Sequence, residues 1–209
     1  SLTQKGKKTA SFLKIIPQSL SSLNVCPIKI DKKLLKNYKN FRNKVFNKDK
    51  FDQLQITEKD ILKKIEVMRR FDDLKDKRIV CLGDDDLAGI VLALTKEPKE
   101  IIILDIDKEI VDYENNILKK LGYKKSAFLC DFLKPMPERF KGKYDIFITE
   151  PPDTVEGITL FFSRGIECLG KKGGIAYLGV SRTDLNENDF LEFEKNILKM
   201  KGLITDNFS

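Results

Sequence analysis

From residue 78 onward the chain alternates short unbroken apolar runs with longer stretches of helical spacing, and this alternation restricts its fold more than any other feature. Arg78–Leu82 (R-I-V-C-L), Glu100–Ile106 (E-I-I-I-L-D-I), Ser126–Cys130, Tyr144–Thr149 (Y-D-I-F-I-T) and Gly174–Val180 (G-I-A-Y-L-G-V) read as strands, and Leu203–Thr205 starts a sixth. Leu87–Leu94, Lys108–Leu121, Val155–Cys168 and Asn188–Met200 read as the helices between and after them. Strands that are apolar throughout need cover on both faces, and helical crossovers make them parallel. The expected class is α/β, a Rossmann-like, methyltransferase-type parallel sheet with helices on both faces. Ligands in such sheets bind at the carboxyl ends of the strands. A seven-stranded version would need more than 209 residues, so the expectation is a trimmed chain.

The front of the chain differs in charge. Residues 1–70 hold 18 Lys and Arg against 6 Asp and Glu, a balance of +12, whereas residues 71–209 hold 21 against 26, a balance of −5. Lys32–Asn47 places Leu34, Leu35, Tyr38, Phe41, Val45 and Phe46 at helical spacing, with lysines and Arg42 on the other face. Thr57–Arg70 opens on a capping box and continues as a second amphipathic helix. Residues 17–31, with two prolines and several serines, read as a connector. The expected organisation is a basic, mainly helical module over 1–55 and a Rossmann-like catalytic domain over 56–209. A basic module can touch nucleic acid. A solvated lysine-rich surface, common in thermophile proteins, is the favoured reading.

Absent residue types exclude whole chemistries. There is no histidine, so Ser-His-Asp and Cys-His machinery is excluded and a general base must be a carboxylate, tyrosine, lysine or water. The four cysteines stand singly without C-x-x-C, which argues against zinc and fits reduced thiols in a cytoplasmic protein. Cys81 and Cys130 lie within apolar runs and read as core. No apolar run is long enough for a membrane span or a signal peptide.

The acids fall at the strand ends. Asp84, Asp85 and Asp86 follow the first strand and Gly83; Asp105 and Asp107 end the second; Asp131 follows the third; Glu150 ends the fourth, before Pro151-Pro152-Asp153. Helix capping accounts for one or two of them, with Asp84–Asp86 placed before Leu87 and Asp107 before Lys108. About eight carboxylates at one ligand-binding edge repel one another unless a cation offsets them. An acid ending strand two accepts ribose hydroxyls in Rossmann-like sheets, and a glycine after strand one lets a nucleoside approach the backbone. The G-D-D-D run lacks G-x-G-x-x-G spacing and would repel a pyrophosphate, which disfavours NAD. A nucleoside with a cationic sulfonium tail fits the charge. Amino-group methyltransferases carry an aromatic residue after Pro-Pro for stacking on a base; Asp153 stands there instead, suited to an ammonium.

Together G-D-D-D-L, L-D-I-D, E-P-P-D-T-V-E-G and F-F-S-R-G-I make the sequence resemble the branched-chain polyamine synthases, N4-bis(aminopropyl)spermidine synthases. The resemblance runs from about Asp52 (F-D-Q-L-Q-I-T-E) to the terminal G-L-I-T-D, roughly three quarters of the chain. The family's motifs are G-x-G-D-D-D and D-P-P-E. Here Cys81 takes the place of the first glycine, and Glu150 and Asp153 exchange the two acids. The resemblance also implies a winged-helix-like front module that is only partly present and a C-terminal portion that is missing.

The resemblance implies an aminopropyltransferase, with decarboxylated S-adenosylmethionine as co-substrate, spermidine as acceptor, and no metal or other cofactor. Asp84 and Asp85 would serve the acceptor and act as base. Gly83, Asp86, Asp105, Asp107 and Asp131 would hold the donor, Asp86 doubling as support or cap. Glu150, Asp153 and Glu156 would take the acceptor's far amines. The basic residues 1–50 are expected to be dispensable for the chemical step. A homodimer stands among the expected partners; nucleic acid is not favoured and a membrane is excluded. Two rival readings are a nucleic-acid methyltransferase using S-adenosylmethionine, and a non-catalytic relative that binds polyamine or nucleic acid.

Overall fold

The computed structural model describes residues 13–17, 28–42, 57–180 and 185–207. In chain order they form β1 (Leu13–Pro17), α1 (Lys32–Phe41), α2 (Glu58–Arg70), β2 (Arg78–Leu82), α3 (Ala88–Thr95), β3 (Glu100–Asp105), α4 (Lys108–Lys120), β4 (Ala127–Leu129), β5 (Ile146–Thr149), α5 (Val155–Cys168), β6 (Gly174–Leu178), α6 (Glu187–Lys199) and β7 (Ile204–Asn207). The chain divides into two compact units. One is Cys26–Asp131; the other combines Ser1–Val25 with Phe132–Ser209.

In the unit Cys26–Asp131 the strands run parallel in the order β4-β3-β2, with Val80 opposite Ile102 and Leu104 opposite Phe128. Ile79 to Leu82 and Ile101 to Leu104 are all buried, as the unbroken apolar runs require. α4 packs on β3 and β4, and α1 packs on α2 and α3. Asp31 caps α1 by accepting the Lys33 and Leu34 N–H groups at 2.8 and 3.1 Å. Thr57 caps α2, accepting the Asp60 N–H while its hydroxyl donates to the Asp60 carboxylate at 2.6 Å.

The other unit orders its strands β5-β6-β1-β7, again parallel. Sequence reading placed no strand before Arg78, yet β1 lies between β6 and β7, with Leu13 opposite Gly174 and Ile15 opposite Ile204. A short segment beside lysines carries little strand signal of its own; pairing on both edges makes it one. The F-F-S-R-G-I run of α5 is structural. Phe162 is buried, the Arg164 guanidinium donates to the Phe132 carbonyl at 2.8 Å, and a Cβ at Gly165 would lie 2.5 Å from the Phe147 ring.

Cys81, Cys130 and Cys168 are buried free thiols. Among the described residues no helix is long and apolar enough to cross a membrane. Cys26, the part of the first predicted helix beyond Arg42, and residues 18–27 of the predicted connector lie outside the described residues.

Candidate active site

The acid-rich edge of the unit Cys26–Asp131 begins where β2 ends. Gly83 turns the chain at φ +67°, a region glycine enters without strain, and its N–H donates to the Leu104 carbonyl at 2.8 Å. Three aspartates follow, and they are not equivalent. Asp84 and Asp86 are 3% and 2% exposed, whereas Asp85 is only half-buried.

Asp84 is a helix cap. Its two oxygens accept the Ala88 and Gly89 N–H groups, each at 2.7 Å, so it closes the first turn of α3. Leu87, the residue before α3, sits at φ +59° with no side-chain cap of its own, and Asp84 supplies the missing acceptor. Gly89 makes the fit possible, because a Cβ there would stand 2.8 Å from the Asp84 carboxylate and collide with Ile103. Asp84, expected as a base, thus accepts two backbone donors in the structure, and burial raises its pKa to about 7.

Asp86 is held from the front of the chain. The Tyr38 hydroxyl donates to the Asp86 carbonyl, and Arg42 pairs with the Asp86 carboxylate at 3.2 Å with both side chains buried. Lys64 of α2 turns a buried ammonium towards the same group of acids. Burial lowers its pKa to about 8, opposed by Asp86, Asp84, Cys81 and Asp85. Sequence reading missed all three of these residues, Tyr38, Arg42 and Lys64. Part of the cation that offsets the triplet thus comes from the protein itself. Arg42 could have been singled out, since it is the only arginine before Arg69 in a front otherwise rich in lysine.

Asp85 lies between Asp84 and Asp86 and is half-buried. Burial, then the charges of Asp86, Asp105 and Asp84, push its pKa up to about 7. This shift has a consequence for stability. A carboxyl whose folded pKa lies above its ordinary 3.8 favours the folded state below 3.8, and that contribution is lost as pH rises through about 7. The expected result is a Tm that declines between about pH 4 and 7, with a shallower decline in Asp85→Asn, measured by thermal unfolding in a pH series.

β3 contributes Asp105 and Asp107. The Asp105 carboxylate accepts the Asp84 N–H at 2.8 Å and the Asp107 N–H at 2.7 Å, tying the two strand-end loops together. Burial raises its pKa against those hydrogen bonds. Asp107 caps α4 through the Glu109 N–H at 2.8 Å. Asp131 follows β4, half-buried, and the neighbouring Cys130 N–H donates to the Asp105 carbonyl at 2.8 Å. The structure thus brings Gly83, Asp84, Asp85, Asp86 and Asp105 into one connected group, with Asp107 and Asp131 adjoining it.

The other predicted residues belong to the unit containing β5. Thr149 is buried, and the chain continues through half-buried Glu150, buried Pro151, then half-buried Pro152 and Asp153. Thr154 caps α5, accepting the Gly157 N–H at 3.0 Å, and Glu156 lies in the first turn. Gly157 lets the turn close, since a Cβ there would be 2.9 Å from the Pro152 carbonyl. Gly179 was also missed. It follows β6, donates its N–H to the Thr149 carbonyl at 3.0 Å, and any Cβ there would overlap the Glu150 carboxylate. A glycine at that position gives Glu150 its place.

Over 97% of its length the chain is 32% identical to an N(4)-bis(aminopropyl)spermidine synthase of Thermococcus kodakarensis, covering 60% of that protein. A second synthase of that name, from Methanocaldococcus jannaschii, is 32% identical over 83% of the chain and is half covered. The chain spans about half the length of the curated relatives it matches. Among solved structures, the branched-chain polyamine synthase of Thermus thermophilus, in complex with N4-aminopropylspermidine and 5'-methylthioadenosine, superposes with a TM-score of 0.77 at 26% identity, over 82% of this chain and 50% of that one. The fold is the Rossmann-like α/β fold of these proteins. Residues 33–209, with the aspartate triplet and the E-P-P-D run inside them, match the branched-chain polyamine synthase A C-terminal domain, and the chain belongs to that family.

Proposed function

We propose that this chain is the catalytic part of an aminopropyltransferase that moves the aminopropyl group of decarboxylated S-adenosylmethionine onto the secondary amine of spermidine, giving branched polyamines. The observation that carries this reading is the acid group at the carboxyl ends of β2 and β3, where half-buried Asp85, raised to about 7, lies beside Asp84, Asp86 and Asp105. Its supports are two relatives named as synthases of N(4)-bis(aminopropyl)spermidine, and a solved relative holding the mono-aminopropylated amine with methylthioadenosine.

The chemistry asks for little else. The acceptor nitrogen attacks the aminopropyl carbon bonded to sulfur. The carbon–sulfur bond breaks, its electrons return to sulfur, and methylthioadenosine leaves. The acceptor amine must be unprotonated to attack, and Asp85 takes its proton; a base near the working pH is suited to that task. Gly83 and its left-handed turn leave the backbone open to the nucleoside. Asp105 and Asp107 serve the donor's ribose and amine, and Asp131 its adenine. Asp86 supports the loop through Arg42. Glu150, Asp153 and Glu156 take the acceptor's far amines. Each carboxylate–ammonium contact at about 4 Å contributes on the order of 4 kcal/mol before desolvation, at an effective dielectric near 20. Positioning of the amine in line with the carbon–sulfur bond supplies most of the rate.

Calorimetry with methylthioadenosine tests the donor half. Binding should be unchanged by a chelator and should weaken when Asp105 is replaced by alanine. Tight binding of NAD, with none of methylthioadenosine, would overturn the reading.

A further inference from the structure

Glu114 lies in the middle of α4 and is 0% exposed. Neither of its carboxyl oxygens finds a hydrogen-bond donor. A buried carboxylate without a donor is strongly disfavoured, and the group takes a proton instead. The partner for that proton is Asp84. The two carboxyl groups meet, and as two ionised groups neither has a hydrogen to give; with one protonated, the contact becomes a hydrogen bond. Asp84 is the better place for the charge, because the Ala88 and Gly89 N–H groups already point at it. Glu114 has no such donors.

We propose that Glu114 is a positioning residue for the acid loop: its carboxyl carries a proton and donates it to Asp84, seating Asp84 on the first turn of α3 and so fixing the loop that presents Asp85. The pair then holds one negative charge rather than two. The surroundings agree. Burial, then Asp84, Asp105 and Asp85, raise the Glu114 pKa well above its ordinary value. α3 and β4, which border α4, contribute no charged side chain, and β3 faces Glu114 with Asp105. Cys81 of β2, Lys64 of α2, and Asp86 with its Arg42 complete the charged neighbourhood of Asp84. The inference deepens the reading of Asp85 as base, but its test does not depend on that reading.

The test is nuclear magnetic resonance on the full chain with 13C-labelled glutamate carboxyls, alongside Glu114→Gln and Glu114→Met. The expected wild-type spectrum at pH 7 contains one glutamate carboxyl at the protonated position, absent from both variants. Amide exchange then reads the positioning. In Glu114→Gln the side-chain NH2 still donates to Asp84, so the Ala88 and Gly89 amides should exchange within about 2-fold of wild type. In Glu114→Met, similar in volume but without a donor, they should exchange about 10-fold faster or more, a gap of about 1.4 kcal/mol or more. A glutamate spectrum fully ionised at pH 7 would overturn the proton assignment. Equal exchange in the two folded variants would reduce Glu114 to packing. If wild type shows the protonated carboxyl yet transfers no aminopropyl group, the proposed function fails and this inference stands.

Discussion

Asp85→Asn should lower aminopropyl transfer by about 10²-fold or more, the scale of a lost general base, while methylthioadenosine binding changes little. The amide keeps the shape of the side chain and removes only its capacity to take a proton. The pH profile separates this from a loss of structure. In the wild type, kcat/KM should rise as Asp85 ionises through about pH 7. In the variant that limb should vanish, leaving the ionisation of the acceptor amine. Asp84→Asn provides the contrast. Its remaining oxygen still accepts one of the two N–H groups that Asp84 now holds, so its effect should fall on thermal stability rather than on the pH limb. A collapse of turnover in Asp84→Asn with a normal rate in Asp85→Asn would return the base to Asp84.

A chain beginning at Asn47 should fail to fold cooperatively. From the sequence such a truncation is expected to keep measurable turnover if it folds, because residues 1–50 carry mainly lysines and the clustered acids all lie later. The structure bears on the folding on which that expectation depends. The truncation removes β1, whose loss leaves β6 and β7 without the strand that pairs with both. It also removes Tyr38, which is 0% exposed, and Arg42, which neutralises buried Asp86. Breaking a buried ion pair from one side typically costs about 3–5 kcal/mol, a large part of a domain's stability. Circular dichroism melting and urea unfolding would check this. A sharp transition near the wild-type midpoint would show that the front is an appendage after all.

The front of the chain holds contacts that a sequence shows least. The helices and strands from Arg78 to Met200 were legible, because each carries its own period, and their observed ends differ by no more than two residues. Local caps were legible too: Thr57 and Asp107 sit beside the helices they start. What was not legible depends on contacts far apart in sequence. β1 is a strand because two partners pair with it. Arg42 reads as one more basic residue on a helix until it meets Asp86, 44 positions later. Glu114 reads as a polar position in an amphipathic helix until its burial is known. The triplet at 84–86 was correctly placed at a strand end, but its division of labour was hidden. Which aspartate caps, which pairs with Arg42 and which is left half-buried depends on the left-handed Leu87, the space left by Gly89 and the reach of Arg42, and none of these has a signature in one sequence.

The most direct test of the account is to incubate the chain with decarboxylated S-adenosylmethionine and spermidine and follow both products by mass spectrometry. The expected result is spermidine gaining one aminopropyl unit, then a second, at its internal nitrogen, with one methylthioadenosine released per unit and transfer by Asp85→Asn slower by about 10²-fold or more. A folded protein that leaves spermidine unchanged, or that instead methylates a nucleic acid with S-adenosylmethionine, would contradict it.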